Sequence, residues 1–283
     1  MPGALAVMLL CSAFLGTPPA MAQNSMPMPG STWGNIRFPS SAQPAESDNI
    51  LLNGAIEQGV DFFPITKDTV INFFGRVDYR WDTEEFDFNR KILLGVGFKL
   101  RHYFSDTFVM SLGAKYEIDK RFVVERSSDG ILLFGQWFGS WHVPNSDHDP
   151  ASGSGPLAYP GLTWGEIRYP GSQDPIEESS MVFEGYTEQG VDWANWGRWG
   201  TFNFYGNLDY IVDTEEIEWN NLFAVGVGVK LKKLVGRNLL LQYGIEATRE
   251  RYWVTDETLD VIFVYLNWSA WWDPRAVRRD IPD

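Results

Sequence analysis

Two pairs of carboxylates carry the first chemical possibility: Glu57 and Asp61 in Glu57-Gln-Gly-Val-Asp61, and Glu188 and Asp192 in Glu188-Gln-Gly-Val-Asp192. Paired acids can cleave a glycosidic bond, but four residues along an extended strand span about 13 Å. That is too far for either hydrolytic geometry, so any partner would have to come from a neighbouring strand. Cations at similar depth in the repeat (Arg76, Arg80, Lys99, Arg101, Lys230 and Lys232) offer a simpler use as charge partners. Together with Asp78 and Asp209 they make up a candidate charge network, since buried charges require partners.

A second acidic set, Asp82-Thr-Glu84-Glu85, returns as Asp213-Thr-Glu215-Glu216. Clustered carboxylates suit a hard cation such as calcium, which could bridge lipopolysaccharide at a surface. The spacing lacks the glycine and ligand order of an EF-hand loop, and a solvated acidic hairpin is the simpler reading. Trp33 and Arg37, repeated as Trp164 and Arg168, could stack on a sugar ring and hold an anionic group. The alternative use of this Trp-Gly and Arg is to anchor a strand and pair with a carboxylate. The three histidines, His102, His142 and His148, each occur in one copy only. No nucleophile and base, zinc spacing or phosphate loop accompanies them. The expectation is a protein that is not an enzyme.

The elements that position these residues are themselves duplicated. From Pro29 to Gly113 the sequence returns 131 residues later without a gap: Thr32-Trp33-Gly34 as Thr163-Trp164-Gly165, Gly95-Val-Gly97 as Gly226-Val-Gly228, and Lys99-Leu100 as Lys230-Leu231. One structural unit is used twice. Within it, alternation of period two is nearly continuous. Runs over 50–63, 68–82, 91–104, 107–122 and 130–142, and over 181–194, 199–213, 221–233, 237–252 and 259–272, predict strands longer than is usual in soluble sheets. Each has an apolar face, such as Ile71, Phe73, Val77 and Tyr79, and a face of small or charged residues, such as Asn72, Arg76, Asp78 and Arg80.

A soluble sandwich would bury the apolar face. A transmembrane barrel would turn it to lipid and line its lumen with the charged face. The strand lengths match a tilted bilayer crossing, and the glycines are expected mainly on the lumen side. Tryptophans gather at strand ends, with Trp141, Trp193, Trp196, Trp199, Trp271 and Trp272 toward one rim and Trp81, Trp219 and Trp253 toward the other, as interfacial girdles would. Five strands per unit would invert the second copy. Taking Thr32–Phe38 and Thr163–Tyr169 as a sixth keeps equivalent loops on one side and predicts twelve strands. With both termini periplasmic, the connections near 64–67, 105–106, 195–198 and 234–236 become short periplasmic turns. Those at 40–49, 83–90, 123–129, 170–180, 214–220 and 253–258 become external loops.

The expected organisation is thus a signal peptide at 1–22, a first unit at 29–142, a Pro/Gly/Ser-rich linker at 143–159, a second unit at 160–272 and a tail at 273–283. The leader is uncharged apart from its amino terminus, apolar from Ala4 to Leu15, and ends Ala20-Met21-Ala22. Cys11 is the single cysteine, so the mature chain needs no disulfide and holds no thiolate metal site. Bulky Leu10 disfavours lipidation there. A net charge of −14 argues against nucleic acid. No later stretch of 18 apolar residues offers a membrane helix. In the linker, Asp147-His148-Asp149 reads as solvated rather than metal-binding.

The leader, the absence of mature cysteine, the long Gly/aromatic strands and the repeated Glu-Gln-Gly-Val-Asp and Asp-Thr-Glu-Glu segments resemble an outer-membrane β-barrel of a Gram-negative bacterium. Trp33-Gly-Asn-Ile-Arg37 with Glu57–Asp61 is loosely similar to barrel portions of exopolysaccharide-export and phage-adsorption outer-membrane proteins. The chain departs from many such barrels in not ending on an aromatic residue, although Tyr265 to Trp272 could supply that signal internally. The resemblance implies an all-β, twelve-stranded antiparallel transmembrane barrel in the cell outer membrane, contacting its lipids and lipopolysaccharide. It would act as a narrow channel or as an accessory to polysaccharide export, with an envelope export complex as a possible partner and no cofactor beyond the calcium considered above. The competing expectation is a periplasmic or secreted protein of two soluble β modules that binds polysaccharide. An outer-membrane hydrolase ranks last.

Overall fold

The computed structural model describes residues 27–145, 156–173, 178–217 and 220–272. The described residues form twelve strands: β1 (Gly30–Phe38), β2 (Leu51–Pro64), β3 (Thr69–Asp82), β4 (Lys91–Tyr103), β5 (Phe108–Arg121), β6 (Arg126–Pro144), β7 (Ala158–Tyr169), β8 (Val182–Asn195), β9 (Thr201–Asp213), β10 (Leu222–Val235), β11 (Leu239–Tyr252) and β12 (Glu257–Trp272). Every neighbour pairs antiparallel, and β1 closes on β12 through Gly30↔Trp272 to Phe38↔Val264. The two copies therefore share one closed sheet, and the expectation of two separate soluble modules is overturned. Closure leaves no unpaired edge, the condition for a sheet to cross a bilayer.

The segment that parity required as a sixth strand is β1, and its copy is β7. The latter starts at Ala158 and β6 runs to Pro144, so the connection is shorter than the predicted linker. The leader, the tail from 273, Trp219 and the Asp147-His148-Asp149 segment lie outside the described residues. The described parts of the long connections (39–50, 83–90, 170–173 with 178–181, 214–217 with 220–221) share one rim with the turns at 122–125 and 253–256. Short turns at 65–68, 104–107, 196–200 and 236–238 share the other.

The apolar face points outward. Val96 is 52% exposed and Val227 63%, and Leu112, Ile131, Ile262 and Val264 continue the exposed belt. The inward partners of those strands, Lys99, Lys115, Glu117 and Lys230, are buried. Trp193, Trp196 and Trp199 stand exposed at the short-turn rim, and Trp81 and Trp253 at the other. An apolar belt between two aromatic bands is the outer surface of a membrane-spanning barrel.

The glycines depart from the expectation. As many face lipid as face the lumen, because an outward aromatic from the next strand lies over each of several. Trp268 covers Gly34 and Trp137 covers Gly165; Trp272 and Trp141 cover Gly30 and Gly161; Tyr79 and Tyr210 cover Gly54 and Gly185. A side chain at these glycines would displace the ring, so the pairs pack flat aromatic area against bare backbone. The tryptophans at Gly30 and Gly161 also donate to Gln58 and Gln189, each at 2.9 Å.

Candidate functional site: the charged lumen

Inward residues of β2, β3 and β4 build one cluster, and β8, β9 and β10 build its copy. Lys99 Nζ lies 2.5 Å from Glu57 Oε1, and Lys230 Nζ lies 2.5 Å from Glu188 Oε2. Each lysine reaches across a strand to its acid and sits over an aromatic ring, 4.6 Å from the Phe74 centroid and 4.2 Å from that of Tyr205. Cation–π attraction adds to the ion pair where water is excluded. Below them, Asp61 accepts from Asn72 at 2.8 Å and pairs with Arg101 at 3.5 Å. Asp192 repeats this with Asn203 at 2.7 Å and Lys232 at 2.5 Å. Positions 131 residues apart thus hold the same roles. The bulges beside these acids, at Asp61/Phe63 and Asp192/Ala194, are likewise matched.

The interior is narrow enough for walls to touch. Phe74 on β3 meets Phe134 on β6 edge to face at 5.7 Å, and Tyr265 on β12 donates to Tyr205 on β9 at 2.7 Å. Glycines at 97, 113, 228 and 244 face inward and make room for Lys115, Phe134, Tyr205 and Tyr265. The layer is therefore filled by paired charge and aromatic rings.

Several predicted partners differ from the observed ones. Arg76 stands opposite Glu57 in register, yet its guanidinium clasps Asp78 on its own strand, with contacts of 2.6 to 3.0 Å. Two residues apart on one strand share a face, so the short reach wins. Arg168 does pair with carboxylates, Glu184 at 2.9 Å and Glu166 at 3.5 Å. Arg37 lies over the Phe263 ring at 5.2 Å rather than on a carboxylate. Asp209 stands inward beside Ala224 in register, in the field of Arg37, Glu184, Glu246 and Glu250. Trp33 and Trp164 both point inward with about two fifths of their surface open. Trp164 stacks on Tyr186 at 6.3 Å.

Sequence reasoning missed Lys115 with Glu117 at 2.5 Å, and Glu246, which accepts from Tyr205 and Asn207 at 2.7 Å each. Both sets lie on inward positions of strands whose alternation was already evident. What was lacking was register, which sets who can reach whom.

In the acidic loops, Asp82 and Asp213 turn inward onto their own loops. Among the described residues no three acidic or imidazole groups gather as a metal set. Asp82 is buried and instead accepts from the Glu85 N–H at 2.9 Å, the Phe86 N–H and the amide of Asn49, with Arg90 at 3.4 Å. Asp213 likewise accepts from the N–H groups of Glu215 and Ile217 and from Asn221. These acids shape the loop, while Glu84, Glu85, Glu215 and Glu216 point to solvent. His102 bonds Thr69 at 2.8 Å on the outer face near the short-turn rim and packs on Phe104.

No family model matches the chain, and no curated protein matches its sequence. Among solved structures it is similar to an outer membrane channel from Pseudomonas putida F1, with TM-score 0.43, 8% identity, and 90% of this chain and 99% of that one covered. It is also similar to the β domain of the Bordetella autotransporter BrkA, with TM-score 0.40, 9% identity and coverage of 87% and 99%. A third is LpxR from Salmonella typhimurium, with TM-score 0.37, 8% identity and coverage of 85% and 99%. At such scores no activity transfers, and the conclusion rests on this chain's own closed sheet, lipid-facing belt and charged interior: it is a twelve-stranded β-barrel of the cell outer membrane.

Proposed function

We propose that the protein is a narrow outer-membrane channel whose passage is controlled by the doubled Lys–Glu layer, and that it serves surface-polysaccharide traffic beside an envelope export complex. The observation carrying this reading is the set of ionisable groups turned inward at membrane depth. A barrel serving only as an anchor would be filled at lower cost by apolar side chains, and ionisable groups at that depth are functional by default. Passage requires the Glu57–Lys99 and Glu188–Lys230 pairs to part or to relay charge. The half-open indole of Trp33 supports a glycan-related solute, Trp164 being stacked on Tyr186, and the solvated acids of the long loops support contact with lipopolysaccharide through divalent cations. No catalytic role is included: among the described residues no carboxylate orients the ring of the Thr69–His102 pair.

Planar-bilayer recording of the purified mature protein tests the channel. Small discrete conductances are expected, with a reversal potential that shifts when Glu57 and Glu188 become Gln. A barrel that inserts and never conducts across voltage and pH would refute it.

A further inference from the structure

A cavity of about 140 Å³ opens on the inner wall of β1–β4, lined by Trp33, Asn53, Asp78, Arg80, Lys91 and Leu93, with Gly54 and Tyr79. Asn53, Arg80 and Lys91 stand side by side in register across three strands. Arg80 Nε and Asn53 Oδ1 are buried without a hydrogen-bond partner, a costly arrangement unless something else meets them. Carboxylates near Arg80 are otherwise engaged. Asp82 is held by its loop N–H groups, Asn49 and Arg90, Glu46 by Ser40, and Asp78 by Arg76.

The second copy supplies a natural control. It keeps the indole as Trp164 but replaces Asn53, Arg80 and Lys91 by Glu184, Ile211 and Leu222. There Arg168 is bound by Glu184. Divergence between the copies has left Arg80 and Lys91 beside one indole and put Ile211 and Leu222 in the equivalent places of the other.

We propose that the Trp33 cavity binds a sugar acid of the hexuronate class. The ring's apolar face lies on the indole, the carboxylate meets the Arg80 fork with Lys91 beside it, and a hydroxyl donates to Asn53 Oδ1. Guanidinium matches a carboxylate in plane, and the indole supplies a flat apolar surface. The ligand is either a free acid or the end of an acidic polysaccharide. The proposal stands apart from conduction, because binding is measured in detergent whether or not the barrel conducts.

The test is calorimetric titration of the folded mature protein in micelles with galacturonate, an oligogalacturonate, glucose and acetate. Saturable binding of galacturonate is expected, with glucose and acetate much weaker. Arg80→Ile, Lys91→Leu and Trp33→Ala should each weaken it by roughly tenfold or more, the loss of one charged or stacked contact. Arg80→Lys should retain part, and Trp164→Ala should leave it unchanged. Tighter binding of the oligomer than of the monomer supports the chain end as the source, and equal binding supports the free acid. Glucose or acetate binding as well as galacturonate, or equal losses from Trp33→Ala and Trp164→Ala, would overturn the assignment, as would absence of galacturonate binding to protein that retains its barrel circular dichroism.

Discussion

Neutralising Glu57 and Glu188 together, as Glu57→Gln with Glu188→Gln, strips the negative partner from two lysines that water cannot reach. Lys99 is 6% exposed and Lys230 is 2% exposed. In the first cluster, Lys99, Arg76 and Arg101 would lose one of the acids that balance them, leaving Asp61, Asp78 and the field of Glu166. Removing one member of a buried ion pair costs about 3–5 kcal/mol. Glutamine keeps one acceptor, so the lower end applies, about 3 kcal/mol per site. The sites share no residue, so the losses should add to about 6 kcal/mol. The comparison pair is Glu85→Gln with Glu216→Gln. Glu85 is 69% exposed and meets Arg90 at 2.8 Å, and such pairs contribute about 0–1 kcal/mol. Denaturant unfolding in micelles, followed by tryptophan fluorescence, should place the lumen variant several kcal/mol below the loop variant. Adding Lys99→Met to Glu57→Gln should recover part of the loss, since the stranded charge goes with it. A loop effect equal to or larger than the lumen effect, or no recovery, would refute the buried-pair reasoning.

Val96→Arg and Val227→Arg put a charge in the middle of the exposed outer belt, where it costs about 2–4 kcal/mol in a barrel; each should reduce assembly into membranes, read as the folded fraction on unheated gels. Asp82→Ala frees the Glu85 and Phe86 N–H groups and releases Arg90, so proteolysis of the 83–90 loop in the folded protein should accelerate while overall unfolding moves little. If that loop stays as resistant as the parent, Asp82 does not organise it.

The alternation of Ile71, Phe73 and Val77 against Asn72, Arg76 and Asp78 was enough to orient every strand, because period two leaves only two faces and a bilayer accepts one of them. Parity did the same for β1: no local signal made Trp33-Gly-Asn-Ile-Arg a strand, but equivalent loops could share a rim only if it were one. Contacts were less legible. Arg76 faces Glu57 in register and still binds Asp78, because competition between an opposed and an adjacent acid is decided by side-chain reach. Outward glycines under Trp137 and Trp268 were unforeseen for the same reason, since a ring covers a neighbour only once register brings it there. Asp82 and Asp213, read from the sequence as part of an acidic set, are taken up by their own loops, because an acid beside free N–H groups accepts from them. Count and spacing of carboxylates do not reveal that choice.

The central claim is a single twelve-stranded barrel whose two copies point the same way through the outer membrane. Single cysteines at Glu84, Glu215, Lys67 and Arg237, in a chain whose only native cysteine is Cys11, test it on intact cells with an impermeant thiol reagent. Glu84 and Glu215 should both react from outside, and Lys67 and Arg237 only after the outer membrane is opened. Labelling of Glu84 and Glu215 from opposite sides would contradict the account.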